Sequence, residues 1–217
     1  MGRSKLEKFR VIGERRNVVE PGKENYKQLS GRWSADFFEN EQELVLEIGC
    51  GKGDYTVGLA HLFPNRNFIG VDIKGARLWK GSSRAEENGL DNVGFLRTFI
   101  EEISEHFAEN EVSELWVTFP DPRPRLGDEK KRLTSPRFMN MYRQIVKPGG
   151  TIHFKTDNLE LFDYTLDMLQ QAGEKELLFT RDLYNSDLLH HTLGIQTTYE
   201  KRFLAEGLPI KYLQFQV

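Results

Sequence analysis

The chain has 217 residues, 38% of them hydrophobic and 29% charged, with one cysteine and a formal net charge of -3. At roughly 100 to 200 residues per domain, this length fits one domain that buries its own core, while the lone Cys50 excludes a disulfide framework and suits a reducing compartment. No run of about 18 apolar residues and no signal-like stretch is present, so a soluble cytoplasmic protein without membrane contact is expected, and the mild acidity argues against a uniformly basic polyanion binder while leaving room for a local basic site.

Between Met1 and Arg32, nine Lys or Arg stand against four Glu, with Gly2, Gly13, Pro21 and Gly22 interspersed and no clear periodicity. Residues 1–32 therefore read as an irregular, partly mobile basic extension to a domain spanning residues 33–217. From Glu43 onward, short apolar runs alternate with longer stretches of helical periodicity, the pattern of a parallel sheet covered by helices. Strands are predicted at Leu44 to Ile48, Asn67 to Val71, Val93 to Thr98, Glu114 to Phe119 and Thr151 to Lys155. Helices are predicted at Asp54 to Phe63, Gly75 to Asn88, Ile100 to Phe107, Pro136 to Val146 and Leu159 to Ala172, with a turn at Lys147 to Gly150. Two closing strands, Lys175 to Thr180 and Ile210 to Val217, follow without a clear helix between them. A second basic excess, six against two, spans Arg123 to Arg137, so the rest of the chain carries about twelve net negative charges.

Glycines at Gly49, Gly51 and Gly53 lie between the first strand and its helix, where a backbone must turn sharply and admit a ligand. The spacing departs from the dinucleotide pattern G-x-G-x-x-G, because Asp54 occupies the last small-residue slot, and Lys52 is not followed by Ser or Thr as a P-loop requires. Glu47, ending the first strand, is expected to point into the ligand crevice, where it disfavours a pyrophosphate and suits an amino-acid ammonium. Asp72, ending the second strand, sits where α/β nucleoside binders hold the two ribose hydroxyls. A nucleoside that carries an amino acid and no pyrophosphate is S-adenosylmethionine.

Glu47 to Gly53, Asp72 and the Lys147 to Gly150 turn resemble the class I S-adenosylmethionine-dependent methyltransferases over about Leu44 to Val217. The resemblance implies a Rossmann-like α/β fold: a seven-stranded, mostly parallel sheet with a reversed last strand and helices on both faces. Four further stretches, Phe119-Pro-Asp-Pro-Arg-Pro-Arg125, Lys130-Lys-Arg-Leu-Thr134, Phe154-Lys-Thr-Asp-Asn158 and Thr197-Thr-Tyr-Glu200, resemble the tRNA (guanine-N7)-methyltransferase family (TrmB-like). The chain departs from that family's pattern at Arg123, where tryptophan is usual, at Arg125, where lysine is usual, across Leu126 to Asp128, where the basic run is interrupted, and at Phe99, where Asp or Asn is common.

By resemblance, cofactor contacts fall on Glu47, the three glycines, Asp72, Asp121 and the backbone at Phe99, and substrate contacts on Arg125, Asp157, Thr197, Thr198, Tyr199 and Glu200. Lys130, Lys131 and Arg132, with the N-terminal arm, are expected to hold tRNA phosphates. Asp121, held between Pro120 and Pro122, is the candidate catalytic residue, since a carboxylate stabilises the charge that develops on a guanine alkylated at N7. The target base must be unstacked to be reached, and Phe119 and Tyr199 are candidate stacking partners. The five histidines show no metal spacing, so no metal is expected. A monomer or a homodimer fits equally. A small-molecule methyltransferase and a catalytically impaired tRNA-binding protein of the same fold remain alternatives, the second suggested by Arg123.

Overall fold

The apolar runs fold into strands β1 (Val18–Val19), β2 (Leu44–Ile48), β3 (Asn67–Val71), β4 (Val93–Leu96), β5 (Val112–Thr118), β6 (Val146–Thr156), β7 (Leu178–Thr180) and β8 (Lys211–Gln216). The helices are α1 (Lys5–Glu14), α2 (Asp54–Leu62), α3 (Gly75–Glu87), α4 (Ile103–His106), α5 (Pro136–Ile145), α6 (Leu159–Gln171) and α7 (Thr198–Ala205). The structure, a computed structural model, describes residues 4–217; Arg3 of the basic arm lies outside them.

One sheet runs in the order β1-β4-β3-β2-β5-β6-β8-β7. Strands β1 to β6 pair in parallel, and β8 lies antiparallel to both β6 and β7. This is the expected reversed-strand α/β sheet, extended by one edge strand. Because both faces are covered, alternate residues of each strand enter different cores. Leu44, Leu46 and Ile48 join Leu115, Val117, Phe154 and Phe162 on one side. Val45, Trp116 and Tyr212 join Tyr55, Leu59, Leu78 and Ile12 on the other. The chain winds outward from β2 through β3 to β4, then returns to β5 and β6. The crevice that binds ligands in such sheets opens beyond the carboxyl ends of β2 and β5, where the winding reverses.

The N-terminal arm departs from expectation. Ser4 caps α1 by accepting from the Glu7 amide, Ile12 is fully buried, and Phe9 and Ile12 close on Gly75 at the start of α3. Val18 and Val19 then extend the sheet beside Phe95 and Leu96. Ile12 is the only buried residue of α1, so helical periodicity was too thin to read, and a two-residue strand is shorter than strand patterns resolve. Most of the arm's charge is also engaged internally. Arg10 pairs with Glu14, Arg15 with Glu86, Arg16 with Glu39, Lys27 with Glu102 and Glu105, and Arg32 with Asp36, while Lys23 donates to the Arg15 and Val18 carbonyls.

Three smaller differences concern element bounds. The Ile100 to Phe107 segment is a 3-10 turn, Ile100–Glu102, running into the single-turn α4. The Lys147 to Gly150 turn is contained within β6 as a bulge, since Val112 pairs with Val146 but Glu114 with Thr151. Helix α7 stands between the two closing strands, where none was expected.

Candidate active site

The loop after β2 turns three times through left-handed glycines, with φ of 68° at Gly49, 57° at Gly51 and 65° at Gly53. Gly53 is required twice over, because a Cβ there would stand 2.6 Å from the Phe95 ring. Asp72 fastens this loop from β3: its Oδ2 accepts from the Gly51 amide at 2.9 Å and its Oδ1 from the Lys74 amide at 2.8 Å. A carboxylate oxygen has two lone pairs, so acceptor capacity remains toward the cavity that Asp72 lines.

Glu47 is corrected. It falls on the α2 face of β2 and is 2% exposed, with Oε2 accepting from the Thr56 amide and hydroxyl at 2.9 and 2.6 Å and Oε1 from Thr118 at 2.9 Å. Burial pushes its carboxyl up to about 7 despite these donors. The side chain joins β2, α2 and β5 beneath the crevice and does not line it, because the strand's alternation directs an odd-numbered residue there into the second core.

Across the crevice, β5 leads into Phe119 to Arg123. Phe119 and Arg123 are non-glycine residues in the left-handed region, at φ 48° and 47°, and Pro120 and Pro122 stiffen the backbone between them. The Phe119 amide donates to the Lys155 carbonyl at 2.8 Å, and its ring packs 5.9 Å from Phe203. This backbone presents Asp121 outward, 64% exposed at its side chain, with Arg123 Nε 3.3 Å away.

Two cavities meet at this loop. One, of about 370 Å³, is lined by Asp72, Ile73, Phe99, Ile100 and Leu133. The other, of about 330 Å³, is lined by Asp54, Asp157, Thr197, Tyr199 and Phe203. Gly49, Phe119, Pro120 and Asp121 line both. Phe99, 57% exposed, lines the first cavity. Two larger hollows, of about 510 and 660 Å³, lie beside β1, and Arg16 pairs with Glu39 in the first of them.

The expected substrate segment is the start of α7. Thr197 caps the helix in a capping box with Glu200, each side chain accepting from the other residue's amide. Thr197 and Tyr199 face the second cavity. Glu200 does not: it is fully buried, 2.6 Å from Lys155 Nζ and 2.8 Å from the Tyr184 hydroxyl. Lys155 is itself unexposed and also donates to Tyr55 at 2.8 Å. Thr198 is likewise occupied, donating through its amide and hydroxyl to Asp54 at 2.7 and 3.0 Å. Asp157, at the end of β6, is raised above the ordinary carboxyl range by partial burial, and its carbonyl accepts from Lys211.

Basic residues rim both banks. Arg125, Lys130 and Lys131 are exposed; Lys131 pairs with Asp128 at 2.6 Å, and Arg132 lies 4.3 Å over the Tyr164 ring. Three cations on the glycine-loop bank had not been singled out from sequence: Lys52, Lys74 and Arg77, none in an ion pair among the described residues. A signal was present, since Lys74 and Arg77 open the acid-free run Ile73 to Ala85, which carries four Lys or Arg. His190 and His191 lie in a 3-10 turn with ring centroids 4.1 Å apart and planes tilted by 34°, and neither lines the two cavities. Among the described residues, no helix is long and apolar enough to cross a membrane.

The residues fit S-adenosylmethionine on structural grounds: a glycine cradle that a Cβ would fill, a ribose-height carboxylate with free lone pairs, and an apolar slot of Ile73, Phe99, Ile100 and Leu133 beyond it.

Comparisons with known proteins agree with this reading. A methyltransferase family model matches residues 41–213. The chain is 51% identical to the tRNA (guanine-N(7)-)-methyltransferase of Cytophaga hutchinsonii, covering 100% of this chain and 98% of the relative. It is 45% identical to the enzyme of that name from Christiangramia forsetii, covering 99% and 98%, and 47% identical to that of Bacteroides fragilis, covering 99% and 86%. In fold it is similar to the crystal structure of the 16S rRNA methyltransferase KamB, with a TM-score of 0.61 at 18% identity over 81% of this chain and 88% of that one. With full-length identity of this order to several relatives of one name, the chain belongs to the tRNA (guanine-N7)-methyltransferase family.

Proposed function

We propose that the protein transfers the methyl group of S-adenosylmethionine to N7 of a guanine in tRNA, the guanosine lying in the variable loop. The observation that carries this reading is the position of Asp121, on a stiff loop where a cavity suited to a nucleoside meets one suited to a base. Asp72 would hold the ribose hydroxyls, Ile73, Phe99 and Leu133 would enclose the adenine, and the Gly49 to Gly53 backbone, bare of Cβ at its glycines, would let the amino-acid portion approach. The cofactor supplies an electrophilic methyl group on a sulfonium.

The protein's own contribution is alignment and charge. Guanine N7 has an in-plane lone pair and no proton to lose, so no strong base is required and correct placement of the base supplies most of the rate. Asp121 and Asp157 accept from the guanine N1 and exocyclic amine and stabilise the positive charge that grows on the ring. Tyr199, 42% exposed over the second cavity, stacks on the extruded base. Glu200 acts through α7, holding Thr197 and Tyr199 in place. A tRNA transcript with its variable-loop guanosine changed to adenosine tests the target: it should accept no methyl group, and undiminished methylation would move the site elsewhere.

Phosphate contacts fall to Lys130 and Arg132 on one bank and to Lys52, Lys74 and Arg77 on the other. Lys131 also lines the cofactor cavity, so Lys130→Glu with Arg132→Glu is the cleaner test. This pair should weaken tRNA binding about tenfold or more and reduce the slope of log K against log salt by about two, with cofactor affinity unchanged. An unaltered salt slope in filter-binding titrations would remove both residues from the RNA interface.

A further inference from the structure

Asp54 is the residue that breaks the dinucleotide pattern, and the chemistry above leaves it without a task. It is the first residue of α2, immediately after Gly53, and it faces the second cavity. One oxygen accepts from both the amide and the hydroxyl of Thr198, at 2.7 and 3.0 Å; the other accepts from Arg84 at 2.8 Å. Arg84 in turn donates to the Lys52 carbonyl at 2.6 Å, inside the glycine loop. Burial works against this carboxylate, yet the Thr198 amide and the Arg84 charge hold it below the ordinary range, so it is ionised when it makes these bonds.

The segment before α7 also leans on α2. Ile195 packs so closely on Gly58 that an added Cβ would stand 3.0 Å from it. On its far side, α7 is tied to β6 by the buried Glu200–Lys155 pair. The first turn of α7 is therefore fixed at two points, one on the cofactor loop and one on the strand that ends in Asp157.

We infer that Asp54 is a positioning residue that couples the two cavities: by bolting the Thr197 to Tyr199 turn onto the glycine loop, it makes cofactor and tRNA bind cooperatively. The inference rests on the reading of Thr197 and Tyr199 as the base-holding side. A loop ordered by cofactor holds Asp54, and through it Thr198, in the geometry the base requires; RNA binding orders the loop by the same contacts. Linkage demands that the two effects be equal.

Thr198→Pro is the sharpest variant. It removes both donors to Asp54, yet Thr198 is the first residue of α7, where proline is favoured, and the extended backbone of Thr197 (φ -71°, ψ 161°) accepts a following proline. Asp54→Ala is the partner variant. Dissociation constants for an unmodified tRNA transcript are measured with and without S-adenosylhomocysteine, and for S-adenosylhomocysteine with and without the transcript. The wild type should show mutual enhancement of about tenfold. Thr198→Pro and Asp54→Ala should bring it to about one, with the affinity of the RNA-free protein for S-adenosylhomocysteine preserved within about threefold. Wild-type coupling retained in Thr198→Pro, or no coupling in the wild type, overturns the inference. Tyr199→Ala separates the two levels. If it weakens tRNA binding while Thr198→Pro keeps its coupling, only the latch fails; if it leaves tRNA affinity and KM unchanged, the base-side reading fails and the latch with it.

Discussion

Asp121→Ala is expected to lower kcat/KM for tRNA methylation by about 10²–10³-fold, the size usual for deleting one group aimed at charge that develops in the transition state. The loss should appear in kcat, because the interaction strengthens as the guanine ring becomes cationic. Folding should be nearly untouched, since the side chain is 64% exposed and its ion pair with Arg123 is of the surface kind, contributing about 0–1 kcal/mol. Asp121→Asn distinguishes charge from hydrogen bonding: it keeps an acceptor for the guanine edge but cannot offset the product's positive charge, so its kcat should remain low while tRNA affinity recovers. Steady-state kinetics with full-length transcript reads both numbers. Normal turnover by Asp121→Ala would remove the residue from the mechanism.

Glu200→Ala should be the most damaging substitution for stability. Lys155 and Glu200 are both unexposed and 2.6 Å apart. Removing one partner of such a pair leaves a buried charge uncompensated and costs about 3–5 kcal/mol, which for a chain of this length lowers Tm by about 10 °C. Burial already draws the Lys155 amine below its ordinary range, and Glu200 is the partner that opposes this shift. Without Glu200 the amine is depressed further. Between that lowered range and the ordinary lysine range, the folded state of the variant binds fewer protons than the unfolded state, so its stability rises with pH there. Thermal melts should show the variant regaining part of its Tm as pH rises toward the alkaline range. Lys155→Met combined with Glu200→Leu should recover much of the loss even at neutral pH. A Glu200→Ala protein that melts like the wild type would show that the pair is not buried as described.

The central architecture was legible because its elements obey simple periodicities. The runs Leu44 to Ile48 and Asn67 to Val71 became strands with those bounds, and the glycine loop and Asp72 came together because a loop and a strand end are fixed by their place in a parallel sheet. What failed to show in the sequence depended on which way a side chain turns or on contacts far apart in the chain. Glu47 was expected in the crevice, but an alternating strand covered on both faces sends it against Thr56 and Thr118. Glu200 was expected at the substrate, but its partner Lys155 lies 45 residues away and no local pattern links them. The N-terminal arm reads as a loose basic extension because a net charge does not show pairing, while six of its cations are engaged by acids or carbonyls of the same fold. Lys52, Lys74 and Arg77 come from a loop and a helix start that are apart in the chain, and they form a bank only once the crevice exists.

The measurement that bears most directly on the account is methyl transfer itself. The purified protein is incubated with labelled S-adenosylmethionine and unmodified tRNA, and the RNA is then subjected to the strand-scission chemistry specific to 7-methylguanosine. Label should appear in the tRNA with one cleavage, in the variable loop, and both should be lost in Asp121→Ala. Absence of label, or label in RNA that resists scission, would contradict the proposed transfer.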